Sequence, residues 1–301
     1  DLHSFPTRRS SDLGDTTSLS IVTIPEGVTD IGNRAFHSNL FLYRVSMPSS
    51  LKRIGAYAFA FCGMLDDVMI SDSVTNIGEN AFYYCSGLGN LSIGNGVKTI
   101  SRGAFEHCSS LMNITIPDSV QEIGEDAFWK CSSLSSVTIP NSVDHIGSGA
   151  FEDCTEALYD KGTVPGVVLV DGWAVNYTDS LSENLNLIGI RGIASDAFSR
   201  CSSLKSVTIP GAVTCVCSDA FRYCDKLANM IISSGVSGIG SCAFWGCNSL
   251  VNMTIPSSVT NIGDYAFRDC SSLTSITIPD GVTSIERSAF SGCSSLTSIT
   301  I

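Results

Sequence analysis

Apolar residues recur along this chain at a fixed step. The dipeptide Ala-Phe ends at Phe36, Phe59, Phe82, Phe105, Phe128 and Phe151, then at Phe198, Phe221, Phe244, Phe267 and Phe290. Every step is 23 residues except the one from Phe151 to Phe198, which is 47. The unit from Cys270 to Phe290 shows what lies between these marks. Ile276 and Ile278 alternate with Ser275 and Thr277, the period of a strand with one face buried. Leu273 leads into that strand. Pro279 ends it, because it has no N–H for the ladder and a fixed φ. Val282 and Ile285 mark a second short extended piece, and Ala289 and Phe290 close the coil. The Val282 column holds throughout: Val28, Leu51, Val74, Val97, Val120, Val143, Ile190, Val213, Val236 and Val259. No single coil can bury its own apolar positions, whereas stacked coils share one continuous core. The pattern predicts a solenoid: a parallel β-sheet stack of about 11–12 coils spaced about 4.8 Å apart, joined by irregular segments and short turns, with little helix.

Two stretches break the pattern. Residues 1–13 match nothing else in the chain and resemble a translated sequencing adapter, so they are expected to be a non-native or disordered leader. The solenoid is then residues 14–301, with an interruption at about 155–184. Within it, Val167 to Tyr177 reads as a hairpin around the turn Asp171-Gly172. Leu185 and Leu187 re-enter the register, with Ile190 and Ile193 in their columns. The alternative is a degenerate coil with Trp173 packed inward, since the inserted length is close to one repeat. The last residues stop in the middle of a repeat, so the chain reads as a fragment whose uncapped ends would favour end-to-end self-association.

The repeated string C-S-S-L-x-S-V-T-I-P-x-S-V-x-x-I-G-x-x-A-F, in eleven tandem copies over about residues 19–301, is similar to the BspA-like (Treponema-type) leucine-rich repeat. The resemblance implies a leucine-rich-repeat solenoid on a secreted or surface protein. It also implies adhesion or host-matrix binding, and no catalytic residues.

Ten of the 13 cysteines fill one slot: Cys62, Cys85, Cys108, Cys131, Cys154, Cys201, Cys224, Cys247, Cys270 and Cys293, with Asn39 in the first coil. Asn and Cys share the ability to hydrogen-bond a neighbouring backbone from an inward turn, so a buried thiol ladder is expected. Stacked disulfides compete with that reading, but parallel side chains leave the Cβ atoms further apart than a disulfide prefers. No C-x₂-C pair beside another such pair is present for zinc. Cys215, Cys217 and Cys242 lie off the ladder, and local pairing among them stays open.

A net charge of −12 with no basic stripe argues against nucleic acid and anionic membranes as partners. There is no apolar run of spanning length and no visible signal peptide, so insertion of this segment into a membrane is not expected. The four histidines occupy different slots, and no phosphate loop, dinucleotide fingerprint or nucleophile elbow occurs. No catalytic, cofactor-binding or metal-binding residue is therefore expected.

Binding candidates lie where the coils differ. The outward strand columns are bland Asn, Ser and Thr, the ordinary solvent face of a sheet. Three N-x-S/T sequons, at Asn90, Asn113 and Asn252, fall in one of these columns, and a fourth is at Asn176. The two positions after each Phe instead carry aromatics among charges, including Tyr83, Tyr84, Trp129, Tyr223 and Trp245, a composition that interfaces favour. The interruption adds Trp173, Tyr177 and Tyr159 as candidate anchors. The bland alternative is that each ring only covers its neighbouring coil. The expectation is thus an extracellular or surface scaffold without enzymatic activity, with a protein or glycan as its partner. The alternative is a passive spacer presenting another domain.

Overall fold

The computed structural model describes residues 19–300, without the side chain of Asn252. The expected leader, residues 1–13, and His3 within it lie outside the described residues. The chain forms two compact units, divided between Leu158 and Tyr159. Each is a stack of coils with a parallel strand on two sides. A single 3-10 turn, Glu156–Leu158, is the only helical element among the described residues.

In the first unit the alternating strand predicted after each Leu is present. Ile21–Thr23, Arg44–Ser46, Asp67–Met69 and Asn90–Ser92 form one parallel sheet, and Asn113–Thr115 pairs with Ser136–Thr138 in another. On a second side six two-residue strands, from Asp30–Ile31 to His145–Ile146, form an unbroken sheet. Register is one repeat throughout: Val22 faces Val45, and Ile31 faces Ile54. The shift equals the repeat because each apolar column must lie over itself to stay inside. In the second unit Asn184–Asn186 begins a six-stranded front sheet, with Leu185 opposite Val207, a step of 22 because the link from Leu187 to Ile190 is one residue shorter than that from Ile209 to Val213.

The third side is a run of tight turns centred on Phe. Here every other N–H points along the stack. Arg34 N–H donates to Ala56 O (2.9 Å), Phe36 to Ala58 O (2.7 Å) and Ser38 to Ala60 O (2.8 Å). The intervening N–H groups bond three residues back within the coil, as Ala35 does to Gly32 O and His37 to Arg34 O. Two backbone positions per coil, two before and two after Phe, must take positive φ to alternate in this way, such as Tyr57 (55°) and Phe61 (63°). Inside this corner the phenyl rings stack face to face. Centroids are 5.1–5.5 Å apart from Phe36 through Phe151, and 5.2–5.7 Å apart from Phe198 through Phe290.

The cysteine ladder locks the same corner. Cys62 Sγ donates to Phe36 O at 3.1 Å, Cys85 to Phe59 O at 3.2 Å and Cys108 to Phe82 O at 3.4 Å. Cys131, Cys154, Cys224, Cys247, Cys270 and Cys293 repeat the bond one coil on each time. Each Phe carbonyl between two coils thus serves two donors, the Cys N–H of its own coil and the thiol of the next. Cys201 differs because the preceding coil offers no Phe carbonyl, and its Sγ lies 3.3 Å from Ser203 Oγ. The ladder thiols Cys62, Cys85, Cys108, Cys131, Cys201, Cys224, Cys247 and Cys270 are buried and lie as free thiols, as a backbone-bonding ladder requires.

The interruption is a hairpin and is also packed inward. Val167–Val170 and Trp173–Tyr177 pair antiparallel, with a register shift between Val168 and Leu169. Asp171 (φ 46°) and Gly172 (φ 80°) make the primed turn that suits the strand twist. Arg191 holds the turn through Nε to Asp171 O and an ion pair to Asp171 Oδ2, both 2.7 Å. The second strand then joins Gly192–Ile193 in parallel, and Val167, Leu169 and Ala174 enter the core of the second unit. The hairpin and inward-packing readings are therefore both correct, because the hairpin stands in for one coil.

Burial pushes the ladder thiols up, Cys62 and Cys154 to about 12, and Cys85, Cys108, Cys131 and Cys247 well above the ordinary range. These thiols stay protonated in the native state while unfolded ones ionise above about pH 9, so the unfolded state binds fewer protons there. Their stabilising effect is full below about pH 9 and falls as pH rises towards 12, by about 1.4 kcal/mol per pH unit for each such thiol. Urea midpoints measured between pH 8 and 11 should drop steeply. Replacing Cys108 and Cys131 with Ala should flatten the slope.

Candidate binding edges

Position in the turn corner decides which side chains gather. Residues three apart in a 3-10-like turn fall on one face. The position two before Phe therefore joins the position one after it, and Tyr57, Arg34 and Tyr265 belong to the edge as much as the residues singled out from the sequence. The three-residue spacing within each turn was the signal that could have found them.

In the first unit the edge is a continuous aromatic run. His37 meets Phe61 edge-on (5.4 Å), Phe61 stacks on Tyr84 (5.4 Å), and Tyr84 stacks on His107 (3.9 Å). His107 in turn meets Trp129 (5.3 Å). Tyr83 packs against Phe61, Tyr84 and His107, and Lys130 Nζ sits 4.2 Å from the Trp129 ring centre. Tyr83, Tyr84 and Trp129, expected as separate candidates, thus form one surface. Phe61 and Tyr84 remain exposed, at 37% and 38%. Beside them Arg34, Tyr57, Glu79, Asn80, Arg102 and Glu106 help line a concavity of about 510 Å³.

The charges here are tuned by burial. It holds His37 and His107 below the usual imidazole range, helped by Arg34 and Lys130 respectively. It raises the Glu106 carboxyl, with further repulsion from Asp126, and it raises the Tyr83 phenol, with further repulsion from Glu106. Burial thus favours the neutral imidazole at both positions, including where His107 stacks on Tyr84.

In the second unit the edge alternates arginines with aromatics. Arg222 lies 4.9 Å from the Tyr223 ring centre and 4.2 Å from that of Trp245. Arg268 lies 4.7 Å from Trp245 and 5.4 Å from Tyr265, and Arg287 lies 5.7 Å from Tyr265. Trp245 Nε1 donates to Asp269 Oδ2 at 2.9 Å, and Asp219 pairs with Arg222 at 3.0 Å. Tyr223, 37% exposed, and Trp245 are brought together here.

The interruption's anchors separate from these edges. Trp173 is 2% exposed, which corrects the expectation of a ring offered to a ligand. Gly192 explains its position, because a Cβ there would come within 2.4 Å of the indole. Tyr177 stacks on Phe198 at 6.3 Å and takes the place of a Phe in the inner column, so it too is chiefly a packing residue. Tyr159, half-buried, lies with its ring centre 5.9 Å from Lys161 Nζ. Among the described residues no group of His, Cys, Asp and Glu is arranged to hold a metal ion, and no helix is long and apolar enough to cross a membrane.

The family model for the BspA type leucine rich repeat region matches six copies, over residues 10–133, 75–159 and 191–301. The chain belongs to the BspA-type leucine-rich-repeat family. A leucine rich cell surface protein from Faecalibacterium prausnitzii A2-165 is 35% identical, over 93% of this chain and 78% of that one, with a TM-score of 0.47. A leucine-rich repeat protein from Bacteroides ovatus ATCC 8483 is 26% identical over 93% and 78% of the two chains, with a TM-score of 0.41. The pneumococcal vaccine antigen PcpA is 24% identical over 93% and 67%, with a TM-score of 0.44. No curated protein matches. This BspA-type chain carries the family's structural columns in every regular coil, and its individuality lies in the turn edges.

Burial separates the tryptophans energetically. Trp173→Ala should lower unfolding free energy by about 3–5 kcal/mol, as for other buried aromatics, and Gly192→Ala should also destabilise. Trp129→Ala at the edge should cost about 1 kcal/mol or less, which urea denaturation of the three variants would measure.

Proposed function

We propose that this BspA-type chain is a non-catalytic scaffold displayed outside the cell, and that its aromatic turn edge in the first unit holds a protein or glycan ligand. The observation that carries this reading is the backbone under the rings. Phe61 (φ 63°), Tyr84 (57°) and His107 (60°) occupy the left-handed slot two after Phe, which other coils fill with Gly246, Gly292 or mostly polar residues such as Ser38, Lys130 and Asp153. A non-glycine residue in that region costs about 1–2 kcal/mol, and bulky side chains least belong there. Three ring side chains at successive strained positions, two of them over a third exposed, are better explained by what they contact than by what they cover. Placement at the cell surface is supported by the family and by the relative from F. prausnitzii, itself described as a cell surface protein.

The test is binding of the chain to arrays of extracellular-matrix proteins and glycans, compared with Tyr84→Gly and Phe61→Gly. These variants relieve the backbone as they remove the rings, so their stability should hold or rise by up to about 1 kcal/mol. A ligand whose affinity falls at least about tenfold in both, a loss of about 1.4 kcal/mol, supports the binding edge. Full retention of every interaction by both variants would favour the spacer.

A further inference from the structure

The front sheet of the first unit is interrupted at one place. Asn90–Ser92 pairs with Asp67–Met69 below it, and Asn113–Thr115 pairs with Ser136–Thr138 above, yet no backbone hydrogen bond joins Asn90–Ser92 to Asn113–Thr115. The strand-exit bonds on either side survive, Ile70 N–H to Ser92 O and Ile116 N–H to Thr138 O, both 2.9 Å. The bond expected from Ile93 N–H to Thr115 O is missing.

The residues after this strand differ from those of most coils. Most coils continue with Pro, whereas this one reads Gly94-Asn95-Gly96. A Cβ on Gly94 would lie 2.4 Å from Ser71 C, and one on Gly96 would lie 2.2 Å from Asp72 O. Asp72 Oδ1 also accepts the Asn95 N–H at 2.7 Å. Two missing side chains and one carboxylate let this turn approach the coil before it, and on its other side the two strands do not pair. There lies a cleft of about 460 Å³, walled by Ser92, Asn95, Asn113, Thr115 and Asp118 with the two unpaired strand edges between them.

We infer that this cleft is a binding subsite for a neutral saccharide of one or two rings. Its edges offer amide N–H and C=O groups side by side, and its side chains are hydroxyls and carboxamides that both donate and accept, with one carboxylate. Vicinal sugar hydroxyls, which donate and accept at once, match that set, and strand edges that do not pair with each other leave backbone groups for such a ligand to meet. An extended peptide fits less well. Behind the cleft the second sheet stays paired, Ile100 opposite Ile123, and Phe105 and Phe128 remain 5.5 Å apart, so the coils do not separate enough to admit another strand. The cleft lies on the sheet side, away from the aromatic edge, and does not depend on the function proposed for that edge.

The experiment is a calorimetric and saturation-transfer NMR titration of the chain with glucose, galactose, N-acetylglucosamine, cellobiose and lactose. Three variants are compared: Asn113→Ala, Ser92→Trp, which fills the cleft, and Lys205→Ala, an exposed change in the second unit. The expected result is saturable binding of at least one sugar, weakened at least about tenfold by Asn113→Ala and Ser92→Trp and unchanged by Lys205→Ala. Circular dichroism melts establish that the variants fold. If Ser92→Trp does not fold, Asn113→Ala, an exposed change, decides alone. Absence of binding to all five sugars, or binding indifferent to the cleft variants, would overturn the assignment.

Discussion

Everything in these two units depends on each coil finding its neighbour in a register of one repeat. A coil alone leaves Leu, Ile, Val and Phe columns in water and half its backbone groups unpaired, and the neighbour removes both costs at once. The corner around Phe is where this dependence is most concentrated. Within about five residues it combines a ring stack, three aligned N–H to C=O bonds and a thiol bonded to the preceding coil's carbonyl. Cys suits that last role because it fills apolar space like a small aliphatic residue and still donates.

Most of the fold was legible because repetition turns a weak local signal into a strong one. A single Ser-Ile-Thr-Ile is an ambiguous strand, but the same letters at every twenty-third position fix the face, the register and the neighbour together. The Cys slot was readable for the same reason, with Asn39 pointing to a hydrogen-bonding role. The interruption was only half legible. Asp171-Gly172 announces a hairpin, whereas the burial of Trp173 depends on Gly192, nineteen residues away and in a column where other coils tolerate any polar residue.

The candidate edges were legible in composition and not in extent. The aromatics after Phe stood out as variable, but the positions before Phe share their face only because the corner is built from tight turns. Tyr57, Tyr265 and Arg287 are ordinary letters until that geometry is known. The sheet break after Ser92 was the least visible feature, since Gly94 and Gly96 look like harmless drift from Pro. What they permit is a closer approach of two backbones than a side chain allows.

The aligned bonds at the Phe corner have a consequence for assembly. Because the backbone N–H groups of Phe36, Phe59 and most of their successors donate towards the following coil, the aligned main-chain bonds of that corner all run one way, with only the cysteine thiols donating back. The peptide dipoles add along the stack, as they do along a helix. A unit built this way has polarity, and an inverted coil would set donor against donor. Lengthening such a protein by duplication, which copies a coil in its original orientation, is the mode of growth this corner permits.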